Sequence, residues 1–389
     1  MKKDALLLGG LLFLGVCVLA FAIFAGFFLS DSPVPREELP RSEDLSPPSH
    51  LEDSDDSPIT KDPKDLDGPL VTGDPSVSWP IYISTMTHLE GDWTDAATEK
   101  VFFDNQAARV RYGLDIAEDY GALLTIESEI PMAQGMVAFD DNFFAEVLER
   151  GHGVGTHCDI DPGITYSDTA IVEEFAARKK LIDDLVGENQ NLGCSGGGGY
   201  SDWYVGATGA GFSYLNGIVG FHYLALPENE RPQGWNDQAI LREWYHYPAP
   251  QNETYFYPFL ISKLGFVEDI HGDLLVSDGS LGNPSTLAEM GTWSLDGSAD
   301  CGSAKCPLTE EDTETLELFI RDFSADFDGS RPAKITLYLP TSIFTSANEN
   351  ALRFLFARLE VLAREGLVTW ETQRGVYDGV MEYYDTLQK

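Results

Sequence analysis

Two short polar segments combine imidazole and carboxylate groups at a spacing that suits metal chemistry. They are THLEGD at 87–92 and THCDID at 156–161, and each follows an apolar, strand-like run. Imidazole nitrogens and carboxylate oxygens bind divalent cations, and three such ligands with one open position let a metal activate water and polarise a carbonyl. The two segments therefore predict a hydrolytic metal site to which His88 and His157 contribute.

Both segments also have an explanation that needs no metal. Pairs such as His-x-Glu arise by chance, and an acidic residue after a strand often caps the next helix. Capping alone would account for Asp159 or Asp161. What favours the metal interpretation is position, because both segments end strand candidates of one predicted sheet. The prediction therefore depends on those strands lying near each other.

Strand-like and helical segments alternate from Trp79 onward, which predicts a parallel sheet wrapped by helices. About seven such units favour an α/β fold of the (βα)7 type, a distorted TIM-like barrel with its chemistry at the carboxyl ends of the strands. The expected strands are 79–86, 121–128, 152–157, 191–196, 212–221, 334–340 and 367–372. The expected helices are 95–119, 141–150, 168–187, 309–327 and 348–365.

The section 227–308 breaks this alternation and is expected to form long loops over one face of the barrel. It contains an aromatic-rich stretch whose rings could stack on sugars or fill a core under the loops. Those aromatic residues are Trp235, Trp244, Tyr245, Tyr247, Tyr255, Phe256 and Tyr257.

The composition of the 389 residues excludes some classes of protein. A content of 43% hydrophobic residues can fill a core, so the chain is not a mostly disordered polymer. A net charge of −39 argues against a nucleic-acid partner, because few Lys and Arg are present to replace phosphate counterions. The acidity favours adaptation to high salt, as in halophiles, or a cationic ligand.

Residues 1–30 are predicted to be an N-terminal transmembrane anchor. The run 5–29 has no charged side chain, and its ~37 Å as a helix is enough to span a bilayer. A cleaved signal peptide is the alternative, although its apolar core is usually shorter. Lys2 and Lys3 predict a cytoplasmic N-terminus of a single-pass cell-membrane protein. Residues 31–78 are an acidic Pro/Ser/Asp-rich linker, and 79–389 form an extracytoplasmic barrel domain.

Four cysteines lie outside the anchor and suit an oxidising exterior. Cys301 and Cys306 flank a short loop and are expected to pair locally, which leaves Cys158 and Cys194 for a second disulfide across the barrel mouth. Four free thiols are the alternative. A thiolate ligand or nucleophile is less favoured, because nothing in the sequence obviously lowers a thiol pKa.

The segment 149–157, ERGHGVGTH, resembles the histidine segment of the polysaccharide deacetylases, the family with the NodB homology domain. Residues 87–91, THLEG, similarly resemble the end of that family's first strand, and the resemblance covers 79 to about 380. Two other family segments differ here. Glycines occupy 196–199 in place of a proline-containing segment, and the late histidine is absent from KITLYLP at 334–340.

The resemblance implies a site by position. It places metal ligands at Glu90, His157 and Asp161 and the usual catalytic base at Leu89, where His88 or Asp92 would have to substitute. His222 is the nearest histidine for the general acid, with a buried structural role as the alternative. The ion implied is divalent, with Zn²⁺ foremost and Mn²⁺, Co²⁺ or Ca²⁺ otherwise.

The expected function is therefore a membrane-anchored, extracytoplasmic, metal-dependent hydrolase that removes acyl groups from a cell-envelope or extracellular glycan. Its expected partners are that glycan and the membrane. The alternative is a catalytically degenerate barrel that binds polysaccharide or organises envelope proteins, since the usual base and late histidine are missing. A two-carboxylate glycosidase on the same barrel is a third hypothesis.

Overall fold

The strands of the domain are short buried runs whose carboxyl ends carry the polar residues. This computed structural model describes residues 78–89, 95–244, 255–287 and 307–388, so the expected anchor and linker lie outside the described residues. The strands are β1 (Ile81–Leu89), β2 (Thr125–Ser128), β3 (Gly153–His157), β4 (Gly193–Ser195), β5 (Tyr214–Asn216), β6 (Phe259–Ile261), β7 (Leu274–Val276), β8 (Ala333–Tyr338) and β9 (Thr369–Trp370).

Helices connect these strands and cover the outside of the sheet. They are α1 (Asp95–Thr98), α2 (Lys100–Glu118), α3 (Ile130–Ala138), α4 (Phe143–Glu149), α5 (Asp168–Val186), α6 (Trp203–Gly209), α7 (Asp237–Ala239), α8 (Glu310–Asp326), α9 (Glu349–Arg364) and α10 (Gln373–Leu387). Short 3₁₀ turns include Gly220–Ala225 and Glu228–Glu230. In the described ranges, no helix has both the length and the apolar character needed to cross a membrane.

The sheet runs in the order β6-β7-β5-β4-β3-β2-β1-β8, and β9 pairs with β1 off this path. Every pairing is parallel except that of β6 with β7. The segment after β7 then reaches β8: Thr336 N donates to Gly279 O at 2.9 Å, and Tyr338 N donates to Gly282 O at 3.0 Å. These bonds join the two ends of the sheet, so the fold is the expected α/β, TIM-like arrangement.

The interior of this curved sheet is polar, whereas its outer face is apolar. Side chains alternate along each strand, so Ile81 and Ile83 of β1 pack under the helices while Ser84 and His88 point inward. Ser84 Oγ lies 3.0 Å from Thr336 Oγ1 across the interior. At the amino ends of the strands, α10 packs against Tyr82 and other buried apolar residues. That packing covers the amino ends of the strands, so the carboxyl ends are where a functional site can lie.

The expectation of long loops over 227–308 was wrong in part. This section contributes β6 and β7, each three residues long, which is too short for an alternating pattern to reveal. The strand expected at 212–221 ends at Asn216, because Gly217 has a φ of +64° and turns the chain out of the sheet. The sequence also does not predict the helices α3, α6 and α10.

Candidate active site

A buried histidine–glutamate pair lies at the carboxyl ends of β1 and β2. His88 and Glu127 are register partners in the parallel pair, so both side chains point to the interior. His88 Nε2 lies 3.1 Å from Glu127 Oε2, and Asn216 Nδ2 at the end of β5 donates to Glu127 Oε1 at 2.8 Å. Gly155 on β3 makes room, because a Cβ there would lie 3.1 Å from Glu127 Cγ.

The environment of Glu127 keeps it ionised. Burial by itself raises the pKa of this carboxyl group, but the interaction with the imidazole of His88 and a hydrogen bond from Asn216 outweigh burial and hold the pKa below its usual range. An ionised carboxylate orients the imidazole, with the proton on Nε2. The pair thus provides a fixed imidazole backed by a negative charge.

A second group of side chains converges at the carboxyl ends of β2 and β3. Glu129 lies two residues beyond Glu127, and His157 ends β3. His157 Nε2 is 3.8 Å from Glu129 Oε1 and 3.4 Å from Asp159 Oδ2. One donor atom from each of Glu129, His157 and Asp159 lies within 4.8 Å of the others, and we call these three residues the carboxylate–histidine cluster.

The carboxylate–histidine cluster fits a divalent ion. Ligand atoms that sit about 2.0–2.2 Å from one ion are separated from each other by roughly 3–4 Å. The distances from His157 Nε2 to the carboxylates of Glu129 and Asp159, 3.8 and 3.4 Å, fall in this range. The other nitrogen of His157, Nδ1, lies 2.9 Å from Ser195 Oγ, as expected for a ligand histidine held by a second group. Glu129, His157 and Asp159 would therefore hold the metal.

The two groups of residues form one site. The rings of His88 and His157 stack with centroids 3.9 Å apart and an interplanar angle of 25°. Tyr338 at the end of β8 also packs near His88, and the two ring centroids lie 5.0 Å apart. The histidine–glutamate pair is therefore next to the carboxylate–histidine cluster.

A cleft of about 450 Å³ opens beside the carboxylate–histidine cluster. Its walls are mostly apolar, and Arg178 stands at its side, where Nε donates to Asp159 O at 3.0 Å and Nη1 pairs with Glu174. The volume is typical of small-molecule sites. The lining residues are Ala97, Thr98, Glu129, Ile130, Pro131, Gln134, Asp159 and Arg178.

The residues named from the sequence are distributed as follows. His88 and His157 come together, whereas Glu90 and Asp92 lie outside the described residues. Asp161 is not brought to His157, because it is exposed and its Oδ1 accepts from Gly163 N at 2.9 Å in a turn. Asp159 lies where Asp161 was expected.

His222 does not face the candidate site. It is fully buried, its Nε2 lies 3.0 Å from Gly196 O, and its Nδ1 lies 3.1 Å from Val219 N. Burial lowers the pKa of His222, which favours the neutral form. The structure therefore gives His222 the structural role, in which it holds the glycine loop after β4.

Cys158 and Cys194 form a disulfide, with Cα atoms 5.9 Å apart. Each cysteine is next in sequence to a residue of the site, His157 and Ser195 respectively. The bond fixes the ends of β3 and β4 relative to each other. Cys301 and Cys306 lie outside the described residues.

The glycine loop after β4 allows a close approach to the carboxylate–histidine cluster. Gly196 has a φ of +71°, and a Cβ there would lie 2.3 Å from Asp159 Oδ1 and 2.9 Å from His157 Cε1. The neighbouring Gly197 N donates to Asp159 Oδ1 at 3.3 Å. The loop therefore sets the position of Asp159.

Gly196→Ala is expected to weaken metal binding by at least about tenfold, because the new methyl group must displace Asp159 or His157. Loss of a group that supports a metal ligand weakens metal binding by a similar factor. The measurement is metal content after dialysis against graded chelator. Gly211→Ala is the matched control, since Gly211 has a φ of +82° and open space around it. Both variants bear the backbone strain of about 1–3 kcal/mol, so equal metal loss in the two would contradict the steric explanation.

A buried charged pair, Asp278 and Lys334, lies deeper in the sheet interior. Lys334 Nζ donates to the backbone oxygen of Ser277 and lies 3.1 Å from Ser277 Oγ. Burial raises the pKa of Asp278 to about 7, against the opposing effect of the Lys334 charge. Burial likewise lowers the pKa of Lys334 to about 7.

The stability contributed by this pair is expected to be lowest near pH 7. Between about pH 4 and 7 the folded state holds the extra proton on Asp278, so stability falls as pH rises. Between about pH 7 and 10 the unfolded state holds the extra proton on Lys334, so stability rises again. The double variant Asp278→Asn/Lys334→Met should be more stable than the wild type by about 1–4 kcal/mol at pH 7, and by less at pH 5 and 9. Urea unfolding at the three pH values measures this, and a difference independent of pH would contradict it.

Comparisons with known proteins give similarity of structure only. No protein family matches the sequence, and no curated protein matches it. The chain is similar in structure to the Puue allantoinase, with 13% identity, a TM-score of 0.48, and coverage of 77% of this chain and 89% of that one. It is also similar to a putative polysaccharide deacetylase of Mycobacterium smegmatis (13% identity, TM-score 0.45, 80% and 96% covered). A probable polysaccharide deacetylase of Pseudomonas aeruginosa PAO1 gives 12% identity, a TM-score of 0.47, and 77% and 90% coverage.

Proposed function

We propose that this protein is a metal-dependent hydrolase of the polysaccharide deacetylase type that removes acyl groups from a cell-envelope or extracellular glycan. The observation that carries the proposal is the convergence of Glu129, His157 and Asp159 next to an imidazole backed by a buried carboxylate. The apolar run at 5–29 supports membrane anchoring, with the domain outside the cell.

The protein residues divide the chemistry between them. A divalent ion held by Glu129, His157 and Asp159 would acidify a water molecule and polarise the acyl carbonyl. His88 takes the proton of the attacking water on Nδ1, because Nε2 is engaged by Glu127. The charge of Glu127 stabilises the imidazolium, which then returns the proton to the departing nitrogen or oxygen. Each proton removed from water is thus delivered to the leaving group.

The alternative function is a catalytically degenerate barrel that binds glycan or organises envelope proteins. It is favoured by one observation, the apolar Leu89 at the position where the resemblance places the catalytic base. Leu89 is buried in the apolar core, and its side chain has no atom that could accept a proton. The two functions differ in turnover and not in ligand binding.

The test uses the full chain in detergent, stripped with chelator and reloaded with Zn²⁺, Mn²⁺, Co²⁺ or Ca²⁺. Acetate release is measured from N-acetylated chitooligosaccharide and from O-acetylated xylan. We expect release that chelator abolishes and at least one ion restores. Metal binding without release would favour the degenerate barrel, and release unaffected by chelator would overturn the metal-dependent mechanism.

A further inference from the structure

A second pocket, of about 490 Å³, is formed by the segment 228–236. It shares no lining residue with the cleft beside the carboxylate–histidine cluster. The segment follows the 3₁₀ turn Gly220–Ala225 and leads into α7. We call this pocket the tryptophan pocket, because Trp235 is its aromatic member.

Trp235 is held as a fixed platform. It is half-buried, and its ring stacks on that of Trp244 with centroids 5.7 Å apart and an interplanar angle of 11°. The ring of Tyr223 meets it edge-on at 5.2 Å and 74°. Contacts of both kinds fix the ring orientation, so little side-chain entropy remains to be lost when a ligand packs on it.

The backbone around Trp235 is held by a buried guanidinium group. Arg231 has a side chain only 5% exposed, and it donates to Leu226 O at 2.8 Å and to Leu224 O at 3.1 Å. Its Nη1 pairs with Asp237 at 2.5 Å. The charge of Arg231 is therefore satisfied within the protein, and the pocket is a built feature of the fold.

The polar lining offers neutral donors and acceptors. Asn229 and Gln233 are exposed, and within the described residues their amides form no hydrogen bond to another side chain or backbone group. Over the same residues, Glu228 has no cationic partner within ion-pair distance. A fixed aromatic face beside free amides suits a pyranose ring, whose C–H face is apolar and whose edge carries hydroxyl or acetamido groups. The single carboxylate disfavours an anionic sugar.

We infer that the tryptophan pocket binds a pyranose unit of a neutral glycan, packed on Trp235 and hydrogen-bonded by Asn229 and Gln233. This binding is separate from the proposed hydrolysis. A glycan chain held at the tryptophan pocket would remain close to the domain while other units of the same chain reach the candidate active site, which raises their local concentration.

The test is calorimetric titration of the full chain with chitotetraose, and with tetragalacturonate as an anionic probe. We expect chitotetraose to bind, Trp235→Ala to weaken that binding by at least tenfold, and Gln233→Ala to weaken it severalfold. Trp79→Ala is the matched control, because Trp79 is a half-buried tryptophan that packs on Tyr383 away from this pocket. His157→Ala should bind chitotetraose like the wild type.

Several results would overturn the inference. These are no binding by the wild type, equal binding by Trp235→Ala, or loss of binding in His157→Ala, which would place the ligand at the active site. Stronger binding of tetragalacturonate would refute the charge argument. Because Gln233 is exposed, Gln233→Ala tests the pocket even if Trp235→Ala fails to fold. Binding without acyl release would remove the proposed hydrolase alone, and release without this binding would remove the pocket alone.

Discussion

His157→Ala is expected to remove the bound metal and to lower acyl release by at least about 100-fold. His157 supplies the only nitrogen of the carboxylate–histidine cluster and is 4% exposed, so alanine leaves a gap that faces two carboxylates. Loss of groups that merely support a ligand already costs about 10–100-fold in metal affinity, and loss of the ligand itself should cost more. Metal content by mass spectrometry and acetate release from the same preparation measure both effects.

The control for this variant is His271→Ala, because His271 is exposed and outside the site. Ser195→Ala should be intermediate, since it removes only the hydroxyl group 2.9 Å from His157 Nδ1. If His157→Ala kept its metal, the carboxylate–histidine cluster would not be the metal site. If it lost metal but retained wild-type acyl release, the metal would have no part in the reaction.

Glu127→Gln is expected to lower kcat by about 10²–10⁴-fold while metal content stays at the wild-type level. Glutamine keeps the volume of the side chain but removes the charge that stabilises a protonated His88. Its amide can also donate to Nε2 of His88, which would place the imidazole proton on the nitrogen that should receive one. Steady-state kinetics on metal-loaded protein, with metal content measured in parallel, gives both values.

A matched variant exists elsewhere in the chain. Glu118 Oε1 lies 3.2 Å from His152 Nε2, so Glu118→Gln changes another histidine–glutamate pair that lies outside the candidate site. It should leave kcat unchanged. Wild-type turnover by Glu127→Gln would exclude the histidine–glutamate pair from catalysis, and loss of metal in that variant would show that Glu127 acts through the metal site.

The two histidines of the site could be predicted because each lies at the carboxyl end of an apolar strand. His88 and His157 follow runs whose burial pattern is clear in the sequence, and the alternation of strands and helices places their ends at one edge. Glu127 and Glu129 follow the same rule at the end of β2, and applying it to that strand would have found them. Their acidic side chains instead suggest a solvent-exposed start of a helix. Only the register of β1 and β2, in which Glu127 pairs with His88, shows that Glu127 points into the interior.

The resemblance places a ligand at Asp161, and His222 is the nearest histidine for the general acid, but local backbone geometry separates both residues from the site. The turn that Asp161 forms with Gly163 keeps its carboxylate exposed, so the nearer Asp159 reaches His157. The early end of β5 places Asn216 at the strand end, and His222 falls in the following 3₁₀ turn. Turns of this kind depend on individual φ values, which periodicity in a sequence does not encode.

The bonds that join β8 to β1 and to the segment after β7 have a consequence for biosynthesis. Ser84 and Thr336, whose hydroxyl oxygens lie 3.0 Å apart, are separated by 252 residues of chain, so the polar interior is complete only when nearly the whole domain has left the ribosome. Until then the strands from β1 to β7 present unpaired edges to their surroundings, and Asp278 lacks the charge of Lys334. The nascent domain should therefore need holding in an unaggregated state, and a chain truncated before residue 333 should be degraded and not accumulate as a smaller folded unit.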